Sequence, residues 1–169
     1  QVSGLYTFVN IVSIVVIVWF INAFNFMDGI DGMLTSGATF FSLSIGGYLF
    51  WQGIEPYGSL LIVLAACSLA FLCFNWPPAK MFLGDAGSNF FGYLFGILLL
   101  ITVKNEQISI WTWLIVFGYF ITDTTTTTFL RICLSEGWFR TPHRSHAYQN
   151  LARVFNSHKF VTCLILGIN

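Results

Sequence analysis

The sequence has 169 residues, of which 56% are hydrophobic and only 8% charged, and its mean hydropathy is +0.77, which excludes an ordinary water-soluble domain. Seven Lys and Arg balance seven Asp and Glu, so overall charge gives no ground for nucleic-acid binding. Cys67, Cys73, Cys133 and Cys163 show no CxxC spacing, which argues against a zinc site or a disulfide framework.

A bilayer core about 30 Å thick takes roughly 20 mostly apolar residues per helix. Such runs occur in order at 2–21, 34–51, 58–75, 88–103 and 108–130, and a further one starts at 160–169. The pattern predicts an all-α polytopic transmembrane helix bundle of five full spans plus a truncated sixth, a single unit over 1–169 that is a fragment of a larger chain. Gly46, Gly47, Gly92 and Gly96 lie inside spans and are read as packing positions where helix backbones approach closely. Thr124 to Thr128 suit a membrane helix, because each hydroxyl can bond the carbonyl one turn back.

Between the spans lie three polar stretches, 22–33, 76–87 and 131–159, and two short ones, 52–57 and 104–107. Two spans separate each long stretch from the next, so all three face one compartment. Lys80, Arg131, Arg140, Arg144, Arg153 and Lys159 fall on that side and only Lys104 on the other, which makes the shared side cytoplasmic by the positive-inside rule.

The first stretch places Asn22, Asn25, Asp28 and Asp31 at every third position. Residues three apart share a helix face, so two amides and two carboxylates project into one sector, where they can hold a metal, its waters or a nucleotide. A solvated helix end with Asp-Gly turns is the plainer alternative. In the second stretch Asp85 sits at a helix start between Gly84 and Gly87, with Ser88 as a cap. The free N–H groups there suit phosphate, although, taken alone, an ordinary Gly-Asp loop with a serine cap is the better account. The third stretch carries His143, Arg144 and His146. Arginine matches phosphate oxygens with forked donors and histidine moves protons near neutral pH, while a basic loop touching anionic lipid is the alternative. Asp123 lies inside the fifth apolar run, where an ionisable group faces the bundle interior or a watery cleft, either supporting the site or as a structural hydrogen-bond acceptor. His158 is read as an interfacial residue beside the last run.

Taken together, NAFNFMDGIDG, NWPPAKMFLGDAGS and HRSHAYQ resemble, in order and spacing, three cytoplasmic motifs of the polyprenyl-phosphate N-acetylhexosamine-1-phosphate transferases, the superfamily that includes the phospho-N-acetylmuramoyl-pentapeptide transferases. The resemblance implies transfer of N-acetylhexosamine 1-phosphate from a UDP-sugar to polyprenyl phosphate, with release of UMP, at the cytoplasmic face of a bacterial inner membrane. It implies Mg²⁺, with Mn²⁺ as the alternative, on Asp85 and Asp28, and a nucleotide cleft lined by Asn25, Asp28 and Asp31. Asn75 and Phe82 match positions that hold uracil, Phe82 by stacking; Asn22, Lys80, Gly84 and Ser88 complete the substrate-binding set. His143, Arg144 and His146 match the loop around the pyrophosphate and sugar. The expected partners are the UDP-N-acetylhexosamine, the polyprenyl phosphate, membrane lipid and a second copy of the chain. The wording of HRSHAYQ is nearest the branch that starts O-antigen or capsule repeats. Two features depart from the family: its earlier aspartate-rich loop is absent from this sequence, and Arg131-Ile132 stands where paired arginines are common.

Two rival functions remain at this point: a transporter using Asp123 as an ion or proton site, and a non-catalytic assembly protein with a basic loop. Transport sites gather near the membrane midplane, whereas most polar residues here lie toward one face.

Overall fold

A computed structural model describes residues 2–134 and 146–169. Among the described residues the chain forms eight helices: α1 (Val2–Phe26), α2 (Met33–Trp51), α3 (Glu55–Asn75), α4 (Gly84–Lys104), α5 (Ile110–Val116), α6 (Gly118–Cys133), α7 (Ala147–Phe155) and α8 (His158–Ile168). The all-α class agrees with the sequence pattern, but the expectation of five full spans plus a truncated sixth does not hold. Four helices, α1 to α4, are long and apolar enough to cross a membrane.

The fifth apolar run fails for a local reason. It divides at Phe117, whose φ of −97° and ψ of 12° end α5 and precede α6. The seven residues of α5 are too few, and α6 carries Asp123 and five consecutive threonines. Thr124 and Thr126 donate to the carbonyls of Phe120 and Thr122 at 2.7 and 2.6 Å, so the run stays helical without becoming apolar. The expected sixth span corresponds to the 11-residue α8, a shorter apolar helix that is not among the four long and apolar enough to cross a membrane.

Helix ends follow local chemistry. Glu55 and a proline open α3, and Asp85 opens α4 with Lys104 in its last turn, charges that complement the helix dipole. Ser157 caps α8 by accepting from the Phe160 N–H at 3.2 Å, and Asn156 in the left-handed region turns α7 into α8.

α1 packs chiefly on α4 and α2 chiefly on α3. The first seam needs glycine: a Cβ at Gly92 would lie 2.6 Å from the Ile21 Cα and 2.7 Å from the Phe20 carbonyl oxygen, and Gly96 faces Ile17 and Phe20. Gly46 meets Leu61 of α3, while Gly47 faces open space, so only one member of that pair acts in packing. Where the seams meet, Phe24, Phe41, Phe95, Phe117 and Phe120 form an aromatic core, with Phe41 and Phe117 stacked at 4.1 Å and Phe24 and Phe95 at 5.4 Å. Phe24 belongs to α1, Phe95 to α4 and Phe117 to the α5–α6 junction. This cluster therefore fixes the end of α1, from which the polar residues emerge.

Candidate active site

α1 runs on past Asn22 and Asn25 before stopping at Phe26, so both amides sit on helix rather than in a loop. The Asn22 Nδ2 turns back to the Val18 carbonyl at 2.7 Å. Asn25, one turn on, reaches across to α4: its Nδ2 donates to Asp85 Oδ1 at 3.0 Å and to Ser88 Oγ at 3.2 Å. Ser88 is buried and donates in turn to the Asp85 carbonyl at 3.3 Å. The close α1–α4 seam is thus what brings the first and second polar stretches together.

Asp28 lies beside this pair. Burial pushes its carboxyl up from 3.8 to about 6, the Gly84 N–H donates to it and acts the other way, and the neighbouring Asp85 carboxylate raises it further. Gly84 has a φ of +66° and Asp85 is exposed on the first turn of α4. Two carboxylates close enough to repel are an oxygen donor set suited to Mg²⁺, which takes one or two carboxylates and leaves its other positions to water and phosphate. Among the described residues no three His, Cys, Asp or Glu side chains are grouped to hold a metal; a site made of this pair relies on waters and a ligand to complete it.

Asp31 goes another way. The turn at Gly32, with φ of +73°, re-aims the chain, and Asp31 Oδ2 accepts from the Ala79 N–H at 3.1 Å. Its backbone N–H points at His158 Nδ1 at 3.4 Å, and Thr162 Oγ1 donates to its carbonyl at 3.2 Å. The third-position spacing therefore brings Asn25 and Asp28 to Asp85 but sends Asp31 to the 76–83 loop and α8.

That loop is held by Asn75, which is buried, accepts from Thr35 Oγ1 at 2.8 Å and donates to the Met81 carbonyl at 2.9 Å. Both ends of its amide are engaged inside the protein. Lys80 and Phe82 are left exposed on the loop, Phe82 at 75% of its full area.

The third stretch is part helix. His143 and Arg144 lie outside the described residues. His146, just before α7, is buried at 2% exposure, with the Phe26 and Tyr148 rings 5.5 and 5.9 Å away and Asp123 Oδ2 3.7 Å from its Nδ1. Burial, and then the Arg131 charge, push its imidazole down to about 4, so it is neutral near pH 7.

Asp123 anchors the start of α7 by accepting from the Ala147 N–H at 2.8 Å. Tyr148, fully buried, donates to the Phe26 carbonyl at 2.6 Å. A Cβ at Gly29 would run into the Tyr148 hydroxyl and the Gln149 side-chain nitrogen, so the Asp28-Gly29 turn rests directly on α7. Tyr148, which the sequence reading gave no role within HRSHAYQ, and His158, which it read as interfacial, thus both contact the polar stretch at 28–31. A tyrosine two positions after a histidine, and a histidine opening the last apolar run, were the available signals.

The family model described as "Glycosyl transferase family 4" matches residues 2–103. The chain is 36% identical over 152 residues to the probable undecaprenyl-phosphate N-acetylglucosaminyl 1-phosphate transferase of Bacillus subtilis (strain 168), covering 88% of this chain and 42% of that protein. It is 29% identical over 151 residues to the phospho-N-acetylmuramoyl-pentapeptide-transferase of Streptococcus pyogenes serotype M5, covering 89% of this chain and 41% of the relative. The corresponding transferase of Thermotoga petrophila is 39% identical over 94 residues, 56% of this chain and 30% of the relative. The chain therefore spans less than half the length of these relatives. No solved structure matches it.

Proposed function

The chain belongs to glycosyl transferase family 4, and on that premise we propose that it carries part of the active site of a membrane enzyme that moves N-acetylhexosamine 1-phosphate from a UDP-sugar onto polyprenyl phosphate. The reading extends to the cytoplasmic face of a bacterial inner membrane and, on the wording of HRSHAYQ, to the branch that starts O-antigen or capsule repeats. The observation that carries it is the junction of Asn25 with Asp85 and Ser88, beside Asp28, where two polar stretches meet at the ends of α1 and α4.

In the proposed reaction an oxygen of the polyprenyl phosphate attacks the β-phosphorus of the UDP-sugar. The bond from that phosphorus to the bridging oxygen breaks, and UMP leaves with the electron pair. Such transfers are governed mainly by positioning and charge neutralisation. Asp28 and Asp85 would hold Mg²⁺, or Mn²⁺ in its place, which supplies neutralisation of the diphosphate when bound. Asn25 fixes the rotamer of Asp85 through its 3.0 Å hydrogen bond. The exposed Phe82 offers a face for the base to stack on, and the exposed Lys80 offers a cation to the phosphates. His143 and Arg144 are assigned to the pyrophosphate by resemblance alone, and so is His146, which is itself buried.

The test uses the full-length protein in lipid nanodiscs with a UDP-N-acetylhexosamine, undecaprenyl phosphate and Mg²⁺. Lipid-dependent UMP release that collapses in Asp85→Asn supports the transferase. Sugar or ion flux across vesicles without UMP release would favour a transporter instead, and neither activity would favour an assembly role.

A further inference from the structure

Asp31 is held from several directions at once. Ala79 of the second loop donates to its Oδ2 at 3.1 Å, and Thr162 of α8 donates to its carbonyl at 3.2 Å. His158 addresses both parts of the residue, with Nδ1 3.4 Å from the Asp31 backbone nitrogen and 3.5 Å from Oδ2. An Nδ1 that bears its lone pair accepts from the backbone N–H, so the imidazole holds the main chain at Asp31 while its ring stands against the carboxylate. No hydrogen bond from a described residue reaches Oδ1. A cavity of about 340 Å³ opens beside the residue, between Asp31, Pro77, Pro78, Ser157, His158 and Lys159. The imidazole is half-exposed, with 46% of its side-chain area open, so it closes the edge of this cavity rather than filling a core position.

We propose that His158 is a positioning residue for the donor nucleotide: it locks Asp31 so that the remaining carboxylate oxygen is a fixed acceptor for N–H or O–H groups of the nucleotide. The inference rests on the transferase reading. It adds to that reading a residue outside the three motifs and ties α8 to donor binding. Asp31 already bridges the first and second loops through Ala79. Loss of the His158 restraint therefore loosens the acceptor without dismantling the Asn25–Asp85 junction, whose bonds lie on the other side of the Asp28 turn.

The test compares wild-type full-length protein with His158→Ala, His158→Asn and Thr162→Val. It measures UMP release at varied donor and varied undecaprenyl phosphate, and UMP affinity by calorimetry. His158→Ala is expected to raise the donor KM and the UMP Kd about fivefold, the factor that loss of one neutral hydrogen bond carries, with kcat and the acceptor KM unchanged. His158→Asn, whose carboxamide offers an acceptor and a donor near the Nδ1 position, is expected to restore both constants. Thr162→Val keeps the shape of a buried residue, removes the bond to the Asp31 carbonyl and is expected to shift the same two constants, which decides the matter if His158→Ala does not fold. An unchanged donor KM in His158→Ala, a loss confined to kcat or to the acceptor KM, or no recovery in His158→Asn overturns the proposal while leaving the transferase reading intact. Wild-type protein that neither binds UMP nor releases it overturns both.

Discussion

Asn25 Nδ2 lies 3.0 Å from Asp85 Oδ1 although sixty positions separate the two residues. Neither side chain is placed by its own stretch alone; the close contact of α1 with α4 sets the distance. Replacing Asn25 with Ala removes the donor to both Asp85 and Ser88, and the proposed UMP release is expected to fall at least about tenfold, one hydrogen bond to a charged group. Steady-state rates at saturating donor and acceptor check this, and an unchanged kcat would detach Asn25 from the site.

The seam behind that contact makes a second prediction. A methyl at Gly92 would press on the Ile21 Cα and the Phe20 carbonyl oxygen, both backbone atoms, so Gly92→Ala must push the helices apart. Overpacking of this kind costs about 1–3 kcal/mol. Thermal unfolding in detergent is expected to show the loss, together with a fall in UMP release. Gly47→Ala, whose Cβ meets nothing, is expected to change neither.

Tyr148 supports the Asp28-Gly29 turn through its 2.6 Å bond to the Phe26 carbonyl. Tyr148→Phe leaves that carbonyl without this donor and should lower stability by about 1 kcal/mol, measured as a drop in unfolding midpoint. Gly29→Ala is expected to be worse, because its methyl would occupy the space of the Tyr148 hydroxyl.

The pH dependence of stability has two opposing contributions. For His146 the folded value of about 4 lies below the ordinary 6.5. Between these the unfolded chain binds a proton that the folded chain refuses, so stability rises with pH. Its contribution is complete above 6.5 and is lost as pH falls toward 4. Asp28, raised from 3.8 to about 6, acts in the other direction: its contribution is present below 3.8 and is lost as pH rises through about 6. Unfolding midpoints across this window should therefore rise more steeply with pH in Asp28→Asn than in wild type, and less steeply in His146→Asn. The same slope in all three would show that neither group titrates as described.

Much of the site was legible in the sequence because its residues are spaced for it. Asn25 and Asp28 come together at the end of α1, and Asp85 opens α4, where Ser88 lies one turn inside the helix and bonds the Asp85 carbonyl instead of capping the start as its position suggested. The divergence of Asp31 was not legible: spacing by three implies a shared face only while the helix continues, and α1 stops at Phe26 before the Gly32 turn. A run of apolar residues does not reveal the break at Phe117, whose φ of −97° and ψ of 12° separate α5 from α6 and whose ring stacks on the sequence-distant Phe41 at 4.1 Å. His146 reads as part of a basic solvent loop, yet the anchoring of Ala147 by Asp123 and of Tyr148 by Phe26 draws it inside. Local pattern indicates which side chains can do chemistry; the helix seams decide which of them meet.

The pairing of Asp28 with Asp85 around a single divalent ion is open to direct measurement by electron paramagnetic resonance of Mn²⁺ bound to the full-length protein in the presence of UDP. Asp28→Asn and Asp85→Asn should each weaken the bound signal of one ion population, and the double variant should bind at least as weakly as the weaker-binding single variant, because both carboxylates serve the same ion. Undiminished Mn²⁺ binding in the double variant, or two ion populations each sensitive to only one substitution, would contradict a shared site.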